Sequence, residues 1–133
     1  MIRKENFKQL IDYLGFSQIS TNLYEKQYSN VGCSIVVDFA NEKINYPEDQ
    51  GMKITHHTTC NFSDPENFVV FECINRLLTK GYRPEHIELE KEWTLGHDAK
   101  GGRADICVYA QDGKMLFIVE CKTFEKEYDN IDI

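Results

Sequence analysis

The stretch from Gly101 to Thr123, GGRADICVYAQDGKMLFIVECKT, constrains the fold more than any other part of the chain. Residues 103–110 and 114–122 are dense in Ile, Val, Tyr, Phe and Leu, and Asp112-Gly113 between them is the strongest short-range turn signal in the sequence. An antiparallel hairpin is expected. With Asp112 and Gly113 as the whole loop, Gln111 faces Lys114, Asp105 lies opposite Glu120, and Arg103 lies opposite Lys122. Directly opposed residues have Cβ atoms roughly 4.5–5.5 Å apart, and like charges so placed destabilise a sheet.

Period-two alternation puts Glu120 and Lys122 on one face of the second strand and turns Val119 and Cys121 to the other. Two carboxylates and an ammonium therefore converge on one patch of a mostly apolar hairpin. A divalent cation between Asp105 and Glu120 converts their repulsion into coordination. Mg²⁺ suits such a place, because it takes one or two carboxylates and keeps its other positions for water and phosphate oxygens. Lys122 beside it can orient a water or neutralise developing phosphate charge. The plainer reading is a surface hairpin with solvated acids, and it has to explain why Glu120 interrupts the apolar run from Met115 to Cys121.

Asp105 followed on the next strand by Glu120-Cys121-Lys122 resembles the PD-(D/E)XK signature of restriction-endonuclease-like nucleases, with GRAD and VECK close to forms found in restriction-modification enzymes. The resemblance is firmest from Pro65 to Thr123. It implies a Mg²⁺-dependent endonuclease domain acting on double-stranded DNA. Asp105, Glu120 and the backbone carbonyl of Cys121 would hold the metal, and Lys122 would assist the attacking water. Relatives commonly carry a further acid on the helix before the core strands; Glu72 is the residue that resembles it, with Glu90 and Glu92 as competitors and an ordinary boundary glutamate as the plain alternative. More loosely, ENFVVFECINRLLTKGYRPEHIELEKEW followed by GGRADI is similar to the N-terminal region of proteins in which such a domain precedes an N6-adenine DNA methyltransferase, or to a type I restriction subunit. The family core is helix, three strands, helix, strand, so a chain cut from a longer protein is expected.

A net charge of −7 runs against this reading, since phosphate-binding surfaces are normally basic. A bound cation offsets only part of it, so weak DNA binding by this piece alone is expected, with affinity supplied by other domains or by methyltransferase and specificity subunits. Five cysteines without a CxxC spacing imply reduced thiols, several acting as small core hydrophobes, in a cytoplasmic protein. No apolar run approaches the roughly twenty residues that span a membrane, and MIRKENFKQL shows no secretory signal.

In chain order, residues 3–14 predict an amphipathic helix through Phe7, Leu10, Ile11 and Leu14, ended by Gly15. Residues 22–28, 33–39 and 43–46 predict a small meander, and residues 52–55 a short strand in a long loop. His56, His57 and Cys60 in that loop fall short of a zinc ligand set. A second helix is expected from Pro65 to Lys80, capped by Asp64 or by a Ser63–Glu66 box. Ile87, Leu89, Trp93 and Leu95 alternate with Glu88, Glu90, Glu92 and Thr94, which predicts a strand with one polar face, broken by Lys91 at an inward position. The fold class is α+β: residues 1–62 form an N-terminal helix and meander packed on a nuclease-like core, 63–133, within one compact domain. A catalytically silent DNA-binding or assembly module and a junction-resolving nuclease are the rival functions.

Overall fold

Helix α2, Pro65–Lys80, runs through the apolar cluster of the computed structural model, which describes residues 2–93 and 102–122. Its start follows from the sequence. The Asp64 carboxylate accepts the N–H of Glu66 at 2.9 Å, and Pro65 occupies the first turn, where no donor is required. Ser63, the alternative cap, bonds instead to the side chain of Asn61. Phe68, Val70, Phe71, Ile74, Leu77 and Leu78 are buried along the expected apolar stripe.

The N-terminal helix is shorter than expected: a 3₁₀ turn over residues 4–6 leads into α1, Phe7–Tyr13. Phe7 is fully buried, its ring 4.5 Å from that of Phe68 and 5.0 Å from that of Phe71. Such aromatic pairs contribute about 0.5–1.5 kcal/mol beyond area burial, so Phe7 fastens α1 to α2.

The first sheet is an antiparallel meander of β1 (Ser17–Ser20), β2 (Leu23–Tyr28), β3 (Cys33–Asp38) and β4 (Lys43–Asn45), in that order. Three of these strands were expected. β1 was not, because all four of its residues are exposed and carry no apolar alternation. Cys33, Ile35 and Val37 supply the buried face of β3. A buried helix residue, Asn75, accepts the Tyr28 hydroxyl at 2.6 Å and the Lys26 ammonium at 2.9 Å, which pins β2 to α2.

The second sheet has the order β5-β6-β7-β8. β5 (Lys53–Ile54) runs parallel to β6 (Ile87–Glu92), and β6, β7 (Arg103–Tyr109) and β8 (Met115–Val119) are antiparallel. The class is therefore mixed α+β, with a helix followed by three antiparallel strands. One apolar cluster joins Phe7, Ile35, Val37, Ile74, Leu89 and Ile106. No helix among the described residues is long and apolar enough to cross a membrane.

β6 departs from the expected polar face. Glu88 and Glu90 are both buried, Glu90 with only 1% of its surface exposed. Glu90 also has a left-handed backbone, φ +57°, which breaks the alternation of the strand. In a regular strand, residues 88 and 91 lie on opposite faces; here the Lys91 ammonium lies 3.7 Å from the Glu88 carboxylate and over the Trp93 ring. The lysine that alternation aims at the core thus escapes it. Residues 94–101, including Thr94 and Leu95, and residues 123–133 lie outside the described part.

Candidate active site

The β7–β8 hairpin differs from the expected one in two places that cancel. Its loop has three residues, not two: Gly113 N–H donates to Ala110 at 3.0 Å, and Ala110, rather than Gln111, pairs with Lys114. Gly113 takes φ +85°, the left-handed position that such a loop requires of its last residue. One step later Tyr109 pairs with Met115, yet Val108 pairs with Phe117, so Leu116 is an extra residue in β8. That bulge restores the expected register. Val108, Cys107 and Ile106 face Phe117, Ile118 and Val119, where the paired register ends, one position short of Asp105 and Glu120.

β8 ends at Val119, short of the expected Lys122. Instead of continuing as a ladder, the chain is held by a side chain: the Asp105 carboxylate accepts the backbone N–H of Cys121 at 2.8 Å through Oδ2. Asp105 is half-buried, and Glu120 and Lys122 are exposed. Ala104 and Ile106 are buried on one face of β7, and Asp105 lies on the other with Cys107, which is also buried. Arg103 does not reach Lys122. Its guanidinium bonds Glu90 and, at 3.0 Å, the Thr58 hydroxyl.

Cys121, as expected, packs inward rather than standing ready as a nucleophile. It has 1% of its surface exposed, and its thiol lies 3.9 Å from the Cys73 sulfur on α2. Donation of that thiol proton to Cys73 lowers the Cys73 pKa. The same contact raises that of Cys121, helped by burial and then by the charges of Cys73, Asp105 and Glu66. The helix is therefore docked directly on the segment between Glu120 and Lys122.

Glu72 is half-exposed and pairs with Arg76 one turn on, at 3.0 Å. Glu66, in the first turn of α2, is a further acid on the same helix. It lies seven residues before Cys73, hence on the same stripe of α2, and its charge reaches Cys121. The spacing to Cys73 was the available signal, but nothing in the sequence paired Cys73 with Cys121. Glu90 and Glu92, the other competitors, are engaged elsewhere. Thr58 and Thr59 hydroxyls and Arg103 donate to Glu90, and Glu92 lies 2.8 Å from His56. His57 meets Glu48 at 3.0 Å, and Cys60 is buried.

Among the described residues no three His, Cys, Asp or Glu side chains stand together as a metal-binding group. Asp105 and Glu120 are a smaller set, of the kind that a hard cation retaining most of its water takes. Asp105 spends one oxygen on the Cys121 amide, which orients the other; Glu120 and Lys122 have no hydrogen-bond or ion-pair partner among the described residues. Carboxylate oxygens are the donor type that Mg²⁺ takes.

Residues 65–132, just over half of the chain, match the family described as type I restriction enzyme R protein N terminus, and the chain belongs to that family. Its context is thus restriction-modification. Comparison with curated proteins and with solved structures finds no match.

Proposed function

We propose that this chain is a Mg²⁺-dependent endodeoxyribonuclease domain of a type I restriction R subunit, built on a restriction-endonuclease-like core and working in the cytoplasm on foreign double-stranded DNA. The observation that carries the reading is the hydrogen bond from the Cys121 amide to Asp105, which ties Asp105 to the segment that carries Glu120 and Lys122. Asp105, Glu120 and the carbonyl of Cys121 would hold the metal. When bound, Mg²⁺ would polarise the scissile phosphate and offset the charge that develops on it.

The chain's own residues do the rest. Asp105, half-buried and oriented by a backbone N–H, presents one oxygen in a fixed direction. Lys122, exposed beside Glu120, holds the attacking water or a non-bridging phosphate oxygen through its ammonium. Glu72 and Glu66 are the two helix acids within reach of further roles; the stripe shared with Cys73 favours Glu66. With a net charge of −7 the chain would rely on methyltransferase and specificity subunits for most of its DNA affinity.

The test is cleavage of plasmid DNA by the protein assembled with those subunits, in Mg²⁺ and then in chelator. Cutting that requires Mg²⁺ and is lost in Asp105→Asn and in Lys122→Ala supports the reading. A wild type that binds duplex but never cuts, or cutting that survives both substitutions, overturns it.

A further inference from the structure

The chain has five cysteines, and one pair of them is in contact: the sulfurs of Cys73 and Cys121 are 3.9 Å apart. No other two cysteine sulfurs make such a contact among the described residues. A disulfide needs about 2.05 Å between sulfurs, so an approach of about 2 Å by rotation of two side chains separates the dithiol from the bond. The two partners differ in access. Cys73 is half-exposed on α2, whereas Cys121 is buried beneath it.

From this pairing we infer that Cys73 and Cys121 form a peroxide-responsive dithiol whose oxidation ties α2 covalently to the segment carrying Glu120 and Lys122. The difference in access sets the order of events. Hydrogen peroxide meets the Cys73 sulfur, which attacks one peroxide oxygen; the O–O bond breaks, Cys73 becomes a sulfenic acid, and the other oxygen leaves as water with the thiol proton. Cys121 then attacks the Cys73 sulfur. The S–S bond forms, the S–O bond breaks, and the hydroxyl leaves as a second water with the Cys121 proton. Two thiols are oxidised by two electrons, and one peroxide is reduced to two waters. Cys33, Cys60 and Cys107 are buried without a sulfur neighbour and stay reduced.

The bond closes on the residue whose amide holds Asp105, so the oxidised form clamps the helix to the candidate site. The inference needs only the two sulfurs and stands whether or not the chain cuts DNA. It is tested by treating the purified chain with hydrogen peroxide, unfolding it in excess maleimide and weighing it. The expected result is a fall from five alkylated thiols to three, reversed by dithiothreitol, with a digest that links the peptides of Cys73 and Cys121. In Cys73→Ser no disulfide forms and four thiols remain reactive; Cys33→Ser still forms the bond. The inference is overturned if the treated wild type keeps all five thiols, if Cys73 accumulates as sulfinic acid with Cys121 still free, or if the linked peptides contain other cysteines.

Discussion

The carboxylate of Asp105 accepts the backbone N–H of Cys121 at 2.8 Å, so this acid is fastened to the very segment that carries Glu120 and Lys122. Charge and hydrogen bonding at Asp105 can be separated by substitution. Asn keeps an acceptor oxygen and removes the charge; Ala removes both. Asp105→Asn is expected to stay within about 1 kcal/mol of wild-type stability, while Asp105→Ala loses about 1–3 kcal/mol by stranding a buried donor. Chemical denaturation of the two variants measures this, and equal losses would show that the bond does not hold the segment.

Arg103 and Glu90 form an ion pair with one buried end, since Glu90 has 1% of its surface exposed and the Arg103 side chain 47%. Removing the guanidinium leaves a buried carboxylate supported only by Thr58 and Thr59. Arg103→Met is expected to cost about 2–3 kcal/mol, between the surface and fully buried limits, and Glu90→Gln in the same background to return part of it. A double-mutant cycle in urea reads the coupling.

Gly51 has φ +105°, and a Cβ there would stand 2.9 Å from the Glu85 Cβ. Gly15 has φ +93° with nothing within 4 Å of such a Cβ. Alanine at Gly15 therefore meets only the left-handed backbone penalty of about 1–2 kcal/mol. At Gly51 the clash adds to that penalty, and the loss of stability is expected to be clearly the larger of the two.

Burial pushes the Cys60 thiol up from 9.0 to about 12, with the charges of Glu90 and Glu48 adding to it. Below about pH 9 the thiol is protonated in both the folded and the unfolded chain, and its contribution to stability is complete. As the pH rises further, the unfolded chain releases its proton first, so stability falls until the folded thiol also ionises near pH 12. The denaturation midpoint is expected to decline above about pH 9, and to decline less steeply in Cys60→Ala.

Much of this fold is legible in the sequence because local signals agree with tertiary demand. Asp64-Pro65 and Gly81 bound α2 where the structure ends it, and the alternation of Cys33, Ile35 and Val37 marks the buried face of β3. The hairpin register is legible for a reason the sequence does not contain: the three-residue loop and the Leu116 bulge offset each other. β6 misleads, because its glutamates look like a solvated face. They are covered mainly by groups remote in sequence: Thr55 and Tyr109, with Lys91 three residues on, meet Glu88, and Thr58, Thr59 and Arg103 meet Glu90. Of the candidate site, the inward turn of Cys121 is readable from alternation, whereas the contact that brings Cys73 to the hairpin is purely tertiary.

Binding of a divalent cation by Asp105 and Glu120 is measured most directly by titrating the chain with Mg²⁺, and with Mn²⁺ as a spectroscopic substitute, in a calorimeter. One ion per chain is expected, with affinity falling at least about tenfold, or 1.4 kcal/mol, in both Asp105→Asn and Glu120→Gln. A wild type that binds no ion, or the same affinity in all three proteins, would contradict the pairing of Asp105 with Glu120 as a metal site.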